Sequence, residues 1–392
     1  MTRQSRPADS RTATMVHLFQ RLLMPAILGL IMVGFTGSSL LACSPRPILI
    51  GAPLGLTGLA SNISVHGRNG MELAVAEINA DGGIRGRPLQ LLIENDHDNP
   101  DAGLQAATKL VEQGAVALVG HMASAAAITS AGYLTEKQIP VISPTISSTD
   151  YSGKDDYFFR IIGPNDAQGR TLAQEALKRG YRTASVVLNM MNNSYTQAVY
   201  EGFHKSFEDG GGIVRLPQQI ADSKTQNFDA LADALLGEGP DLILCATSSF
   251  ELASIRQSLA RKGRQIPVFG SMWARTPDLM VFGGKTVEGV VLVSGTDMSS
   301  DSPALARFME TYKSRYGEEP EFGALYGYEA MHILTAALRK AGNTTGPAIK
   351  AALLSIGSYS GLYDEIMFDQ YGDTGRPYYL YEVRNGSFVR LP

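Results

Sequence analysis

The sequence has few cysteines and almost no excess of charge. Its 392 residues include two cysteines, Cys43 and Cys245, and the 34 lysines and arginines nearly balance the 38 acidic residues, a net charge of -4. Binding to a phosphate backbone requires clustered basic side chains, so a nucleic-acid partner is not expected. Cys245 lies in the apolar stretch DLILCA, which predicts a small core residue rather than a reactive thiol.

A membrane-spanning segment is not indicated at the start of the chain either. The apolar stretch Leu22–Phe35 is short and interrupted by glycine, and it follows a stretch rich in arginine, the pattern of a secretory signal peptide. Residues 40–43, Leu-Leu-Ala-Cys, resemble a bacterial lipobox. We therefore expect residues 1–42 to be a signal peptide with its lipobox and Cys43 to carry lipid, with residues 43–47 as a lipid-anchored tether. The alternatives are an uncleaved anchor and a cysteine that stands at this position by chance.

Catalytic and metal-binding motifs are also missing. The chain has no Walker loop, no G-x-S-x-G and no H-E-x-x-H, and Gly51, Gly55 and Gly58 do not have the spacing of a dinucleotide-binding loop. The acidic run between Glu94 and Asp101 lacks the glycine and distal glutamate of an EF-hand. We therefore expect no enzyme activity, no cofactor and no metal. The glycine-rich loop is predicted to line a cleft, with Ser61, Asn62 and Ser64 as candidates for ligand contact.

Apolar strands alternate with amphipathic helices along the rest of the chain. The predicted strands are Ile48–Ala52, Leu89–Glu94, Val116–Gly120, Pro140–Ser143, Thr183–Asn189, Asp241–Ala246 and Val268–Phe269. The predicted helices are Gly70–Ala80, Asp101–Gly114, Ser124–Lys137, Ser194–Asp209, Asn227–Leu236, Glu251–Lys262, Ser302–Tyr316 and Tyr326–Ala341. The alternation predicts an α/β fold with parallel sheets covered by helices. Because the chain is long for one core, two doubly wound lobes are expected, with a ligand site in the cleft between them.

Six segments, in this order, carry a resemblance to a known family. They are GGIRGRPLQLLIENDHDNP, VGHMASAAAITSAG, IPVISPTISSTDYS, FFRIIGPNDAQG, LYGYEAMHILTAALRKAG and FDQYGDTGRPYYLYEVRNGSFV. Together they resemble the type I periplasmic solute-binding proteins of ABC importers, the branched-chain (leucine/isoleucine/valine) amino-acid-binding family. The resemblance extends from about Ile48 to the C-terminus.

The resemblance implies two lobes joined by a hinge of three crossovers. The crossovers are expected near Ile162–Pro164, Ser294–Thr296 and Gly357–Gly361. Lobe one would then comprise residues 48–162 and 296–357, and lobe two residues 163–295 and 358–392.

The resemblance also implies where a ligand binds. Ser124 follows a strand and begins a helix, where free N–H groups and a hydroxyl suit a ligand carboxylate. Thr145 and Ser147, after the next strand, are expected to face Ser124. Tyr195 falls where the family places a ring over the ligand. For each residue a purely structural role, as a helix cap, a turn or a packed ring, is the alternative.

Two departures from the family pattern concern the ligand. The family's aromatic residues after one strand of lobe two are replaced by two serines, with Phe250 following, and its acid for the ligand ammonium falls at about Met272, beside Trp273. A buried ammonium needs a charged or strongly polar partner, so a free α-amino acid is put in doubt. Glu251 or Asp278 could supply the acid if the alignment is shifted. Phe250, Met272 and Trp273 are thus predicted to cover an amino-acid-like, carboxylate or amide ligand with an apolar body.

The sequence therefore predicts an extracytoplasmic solute-binding lipoprotein, in the periplasm or on the outer cell surface. Its expected partners are a small molecule, the permease subunits of an ABC importer and the membrane through its N-terminal lipid. It is expected to be a monomer. The alternative is a ligand-sensing regulator or receptor domain of the same fold.

Overall fold

The computed structural model describes residues 45–58, 61–237 and 239–392. The predicted signal peptide, its lipobox and Cys43 lie outside the described residues. Within the described part of the chain, no helix combines the length and the hydrophobicity needed to cross a bilayer. Residues Pro47–Pro392 form one compact unit, which contains both predicted lobes.

Five parallel strands form the sheet of the first lobe, in the order β2-β1-β3-β4-β5. They are β1 Ile48–Leu54, β2 Leu89–Asn95, β3 Ala117–Val119, β4 Val141–Ser143 and β5 Phe158–Arg160. The helices between them are α1 Ser61–Ala80, α2 Pro100–Glu112, α3 Ser124–Ala127 and α4 Ser130–Glu136, with a 3-10 turn at Thr149–Tyr151. The side chains of β1 are almost all buried, as expected for a strand covered by helices on both faces.

A second sheet begins with the next strands of the chain. Its strands are β6 Thr183–Asn189, β7 Ile213–Val214, β8 Gln218–Ile220, β9 Leu242–Ala246, β10 Val268–Gly270 and β11 Val291–Ser294. The helices of this lobe are α5 Asn165–Lys178, α6 Asn193–Asp209, α7 Phe228–Leu236, α8 Ser249–Arg261 and α9 Asp278–Gly283. Three 3-10 turns accompany them, at Met190–Asn192, Met272–Ala274 and Gly284–Val287. β6, β7, β8, β9, β10 and β11 pair in parallel.

The chain then returns to the first lobe. This part contains α10 Pro303–Tyr316, α11 Phe322–Ala341, α12 Gly346–Ile356 and a small antiparallel pair, β12 Ser358–Ser360 with β13 Glu365–Met367. α11 packs closely along α1. Glycines allow this contact, because a Cβ atom at Gly70 would lie 2.1 Å from the carbonyl oxygen of Ala324.

An antiparallel hairpin completes the second sheet and was not predicted. β14 Tyr379–Arg384 and β15 Ser387–Arg390 extend it to the order β15-β14-β11-β10-β9-β6-β7, with β8 also paired to β6. Asn385 and Gly386 connect the two strands with φ angles of 52° and 70°. Positive φ at both central residues is typical of the Asn-Gly turn that closes a two-residue hairpin.

Two predicted helices differ from the observed ones by more than a few residues at an end. α1 begins at Ser61 rather than Gly70, because the buried face of the helix continues through Ile63 and Gly67. The predicted helix Ser124–Lys137 is divided into α3 and α4. At the break, the Thr129 hydroxyl donates to the carbonyl of Pro100, which holds this segment against α2.

The chain passes between the two sheets at three segments. These are Ile161–Pro164 after β5, Ser294–Thr296 after β11, and Arg376–Tyr378 before β14. The Tyr378 hydroxyl donates to the carbonyl of Gly163 at 2.6 Å, so the first and third segments are in direct contact. The fold is therefore α/β with two sheet-centred lobes joined by three crossing segments.

The third passage lies beyond the predicted crossover at Gly357–Gly361. Leu362 N still donates to the carboxylate of Glu329 on α11 at 2.7 Å, and the Phe368 ring packs edge-on against Phe159 of β5, with centroids 5.4 Å apart. These contacts place residues 358–376 beside the first lobe, whereas we had assigned them to the second. The sequence limits of the lobes stay a prediction.

Arg376 is the central charged group of this crossing region. Arg376 is 5% exposed, and its guanidinium pairs with Glu329 at 2.7 Å and Asp364 at 2.5 Å. Burial raises the pKa of the Asp364 carboxyl, and the neighbouring guanidinium opposes that shift. The Arg376 side chain also donates to the carbonyl of Ile161 at 3.2 Å. One side chain thus joins α11, the first crossing segment and the third.

Removing this charge is expected to destabilise the fold strongly. An R376M variant leaves Glu329 buried without a counter-charge, which costs about 3–5 kcal/mol in comparable pairs. The matched control is R384M, since Arg384 pairs with Glu382 while its side chain is 51% exposed, and such surface pairs contribute about 0–1 kcal/mol. Urea unfolding of both variants tests this, and equal midpoints would contradict it.

Candidate ligand site

A pocket lies between the two lobes at the carboxyl ends of their strands. Ten residues line it: Ile63, Met122, Ala123, Ser124, Thr145, Asn192, Tyr195, Met272, Trp273 and Phe322. Its free volume is about 30 Å³, enough for about two water molecules. A ligand larger than that enters only if the lobes or the side chains move apart.

The first lobe supplies the pocket wall that contains Ser124 and Thr145. β3 ends at Val119, and Ser124 is the first residue of α3. The Ser124 side chain is almost fully buried, and the Thr145 hydroxyl donates to the carbonyl of Met122 at 2.6 Å. Because α3 has only four residues, its dipole is small. Hydroxyl and peptide N–H groups are therefore the polar groups that this wall offers.

A buried histidine supports this wall from behind. His121 Nδ1 lies 2.6 Å from a carboxylate oxygen of Asp96, and its Nε2 lies 2.9 Å from the hydroxyl of Ser130. All three side chains are fully buried. His121 thus has hydrogen-bond partners on both ring nitrogens and does not line the pocket.

Aromatic side chains form the wall of the second lobe. The rings of Tyr195 and Trp273 meet edge to face, with centroids 6.1 Å apart. The Tyr195 hydroxyl donates to Gln168 Oε1 at 2.9 Å and accepts from Trp273 N at 3.3 Å. Burial raises the pKa of Tyr195 to about 12, so this hydroxyl stays neutral. Met272 N also donates to Gln168, which fixes the turn that carries Met272 and Trp273.

Five of the seven predicted site residues line this pocket, and two do not. Those in the wall are Ser124, Thr145, Tyr195, Met272 and Trp273. Ser147 is buried, and its hydroxyl bonds the carbonyl of Thr145 at 3.4 Å. Phe250 is 36% exposed and packs edge to face with Phe228 and Phe282. The structure therefore places Phe250 on an aromatic surface of the second lobe.

The remaining lining residues were missed by the sequence analysis. They are Ile63, Met122, Ala123, Asn192 and Phe322. Met122 and Ala123 could have been identified from their position in the sequence, because they lie between the end of a strand and Ser124. Phe322 comes from α11, far along the chain, and no local pattern connects it to this cleft.

Asn192 connects the two lobes at the pocket. Its side-chain oxygen accepts a hydrogen bond from the backbone N of Ala125 at 3.1 Å. Asn192 precedes α6 of the second lobe, whereas Ala125 belongs to α3 of the first. The Ala125 N–H group, next to Ser124, therefore donates to an oxygen partner from across the cleft.

The alternative acids of the site are used elsewhere. Glu251 caps α8 through the backbone N of Ser248 at 2.9 Å and also accepts from Asn189 at 2.6 Å. Asp278 accepts a hydrogen bond from Asn62 at 3.0 Å. Among the residues that the structure describes, none with a charged side chain lines the pocket, and none form a cluster of His, Cys, Asp or Glu suited to a metal ion.

The sequence matches the family of periplasmic binding proteins over residues 47–387. The chain belongs to this family. A Leu/Ile/Val-binding protein homologue of Brucella abortus is 24% identical over 342 residues, which is 87% of this chain and 91% of the relative. The chain is therefore a periplasmic solute-binding protein of the ABC-transporter type and not an enzyme, as predicted. The family implies an extracytoplasmic location.

Solved structures of periplasmic binding proteins share the fold. A leucine-binding protein from Thermotoga maritima superposes with a TM-score of 0.82 at 23% identity, covering 88% of this chain and 98% of the other. A solute-binding protein of an ABC transporter from R. palustris, in complex with benzoate, has a TM-score of 0.79 at 21% identity and covers 88% and 95%. At this identity the likeness establishes the type I two-lobed fold that the sequence predicted.

Proposed function

We propose that this protein is the lipid-anchored solute receptor of an ABC importer, and that it binds a small carboxylate-bearing molecule with an apolar body. The observation that carries the proposal is the composition of the pocket wall. Seven lining residues are apolar or aromatic, and three, Ser124, Thr145 and Asn192, are uncharged and polar. Such a wall favours an apolar ligand that is oriented by a few hydrogen bonds.

The polar groups of this wall favour an acceptor oxygen on the ligand. The Thr145 hydroxyl already donates to a backbone carbonyl. The hydroxyl of Ser124 and the neighbouring N–H groups, one of which bonds Asn192, are the donors nearest the pocket. A ligand carboxylate or amide oxygen can replace Asn192 there or bind beside it. Hydrogen bonds from neutral donors to an ionised oxygen are among the stronger ones in proteins.

The lining of the pocket disfavours an ammonium group on the ligand. Met272 stands where the family resemblance places an acid, and it is 3% exposed. Glu251 is occupied by its own hydrogen bonds. A buried ammonium without a carboxylate partner loses its hydration without compensation. The R. palustris protein, which is described with benzoate, is an example of the same fold with a ligand of this class.

The anchoring part of the proposal rests on the N-terminal sequence. The Leu-Leu-Ala-Cys motif at residues 40–43 follows a positive stretch and an apolar stretch, the order found in exported lipoproteins. A lipid at Cys43 holds the receptor beside the importer, and the permease then accepts the closed, loaded form. We propose that the protein acts as a monomer.

A ligand panel tests the chemical class. Aromatic and aliphatic carboxylates without an amine are expected to raise the melting temperature by several degrees, because a ligand at ~100 times its dissociation constant adds roughly 2.7 kcal/mol. Amino acids of the same carbon skeleton are expected to give little shift. The variant Met272→Glu supplies an acid to the wall and is expected to reverse this order. Amino acids that bind better than amine-free acids to the unaltered protein would refute the proposed class.

Ser124 is tested with the best ligand of that panel. The change Ser124→Ala removes one hydroxyl donor and is expected to weaken binding by about 1–3 kcal/mol, a factor of about 5 to 150. The control is Ser254→Ala, since the Ser254 hydroxyl bonds the carbonyl of Phe250 on α8. Isothermal titration calorimetry on both variants gives the comparison. An unchanged affinity for Ser124→Ala would remove this residue from the site.

The anchor is tested with the two cysteines of the chain. The change Cys43→Ala is expected to abolish fatty-acid labelling and to move the protein from the membrane to the soluble extracytoplasmic fraction. Cys245 is a buried free thiol, so Cys245→Ala serves as the control and should stay in the membrane fraction. Retention of Cys43→Ala in the membrane would disprove lipidation at this residue.

A further inference from the structure

One side chain of the first lobe reaches the second lobe beside the pocket. Asn62, in the first turn of α1, donates through Nδ2 to Asp278 Oδ2 at 3.0 Å and to Glu321 Oε1 at 3.1 Å. Asp278 begins α9 of the second lobe, and Glu321 directly precedes α11 of the first. A side-chain amide has two N–H groups, so both bonds form at once. Asn62 therefore bridges the lobes.

The bridge lies next to residues that line the pocket. Ile63 follows Asn62 in the chain, and Phe322 follows Glu321, and both belong to the pocket wall. Separation of the lobes breaks the bond between Asn62 and Asp278, while the bond between Asn62 and Glu321 stays within the first lobe. The bridge is thus present only when the lobes are together.

Glu321 is an unusual member of this group because it is buried without full hydrogen bonding. It is 9% exposed, and its Oε2 is buried and has no hydrogen-bond partner among the described residues. A buried, ionised carboxylate oxygen without a donor is costly, whereas a protonated one carries no charge.

The groups that face Glu321 come from several elements. Burial raises the pKa of Glu321 from an ordinary value of 4.5 to about 7. The hydrogen bond from Asn62 and the charge of Arg275 oppose this rise, whereas the charges of Asp278 and Glu318 add to it. His66 Nε2 on α1 lies 3.4 Å from Glu321 Oε1. Burial lowers the pKa of His66, against the pull of Glu318 and Asp278.

We propose that Asn62, Asp278 and Glu321 form a proton-dependent latch that holds the lobes closed over the pocket, with Glu321 taking up one proton as the latch closes. The proposal rests on the proposed function, because closure matters only for a receptor that encloses its ligand. Asn62 is the positioning residue, and Glu321 is the group that titrates.

The direction of the pH dependence follows from linkage. Opening moves Asp278 away from Glu321 and exposes the Glu321 carboxyl to water. The pKa of Glu321 is therefore higher in the closed form than in the open form. The closed form therefore binds more protons, and closure is favoured below neutral pH and weakened as pH rises through about 7. If opening restores the ordinary value, closure and ligand affinity are roughly tenfold stronger at about pH 6 than at about pH 8.

The test uses the full-length protein without ligand. Trp273 is the single tryptophan of the chain and lines the pocket, so its emission reports closure, and small-angle X-ray scattering reports the separation of the lobes. As pH falls through about 7, we expect a smaller radius of gyration and emission at shorter wavelength. Glu321→Gln carries no charge at any pH and is expected to stay compact with no transition.

Matched variants separate Glu321 from its neighbours. Glu318→Gln removes a nearby but exposed carboxylate, and His66→Gln removes the nearby imidazole; both are expected to keep the transition. Asn62→Ala lacks the bridge and is expected to be expanded at both ends of the pH range, with its folding checked by circular dichroism. No transition in the unaltered protein, or a transition that survives in Glu321→Gln, would overturn the latch.

Ligand binding gives an independent outcome. Because the closure measurement needs no ligand, a pH-dependent transition without any hit in the ligand panel would support the latch and count against the proposed ligand class. Binding whose affinity is equal at about pH 6 and about pH 8 would keep the ligand class and refute the latch.

Discussion

The fold depends on a buried ion-pair group at the place where the chain passes between its lobes. Arg376 holds Glu329 and Asp364 in the interior, and such a group stabilises only if every partner is present. Its geometry fixes α11, which begins at Phe322 directly after Glu321, relative to the crossing segments. The same side chain thus sets the position of the pocket wall and of the proposed latch, although it touches neither the pocket nor Asn62.

The proposed ligand class depends on the residues that surround a small number of hydrogen-bond donors in the pocket. In the proposed function, Ser124 and its neighbouring N–H groups hold an oxygen of the ligand. In the same proposal, selectivity depends on the opposite wall, where Met272, Trp273 and Tyr195 offer apolar surface instead of a carboxylate. The proposal thus assigns the choice between an amino acid and an acid that lacks an amine to one residue position, without any change in the fold.

The sequence was sufficient to predict two sheet-centred lobes, because alternating apolar strands and amphipathic helices are local patterns. The positions of Ser124, Thr145 and Trp273 were implied by the family resemblance and not by these patterns. Phe250 was implied in the same way, but it does not line the pocket. Ser248 and Glu251 form a capping box, a pattern visible in the sequence, and it starts α8 so that Phe250 faces an exposed surface. Phe322 was not predicted, and Asn62 was predicted only as a candidate for ligand contact, since the place of Phe322 in the cleft and the bridge made by Asn62 depend on contacts between distant segments.

The hairpin at the C-terminus has a consequence for how the chain becomes folded. β14 pairs with β11 through partners such as Val291 and Glu382, which are 382 - 291 = 91 positions apart in the sequence. The second sheet is therefore incomplete until nearly the last residue is available, and pairings between distant segments form slowly. The proposed signal peptide would direct export of the unfolded chain, and slow completion of the sheet favours that step, because tertiary structure would then form after the C-terminal strands have crossed the membrane.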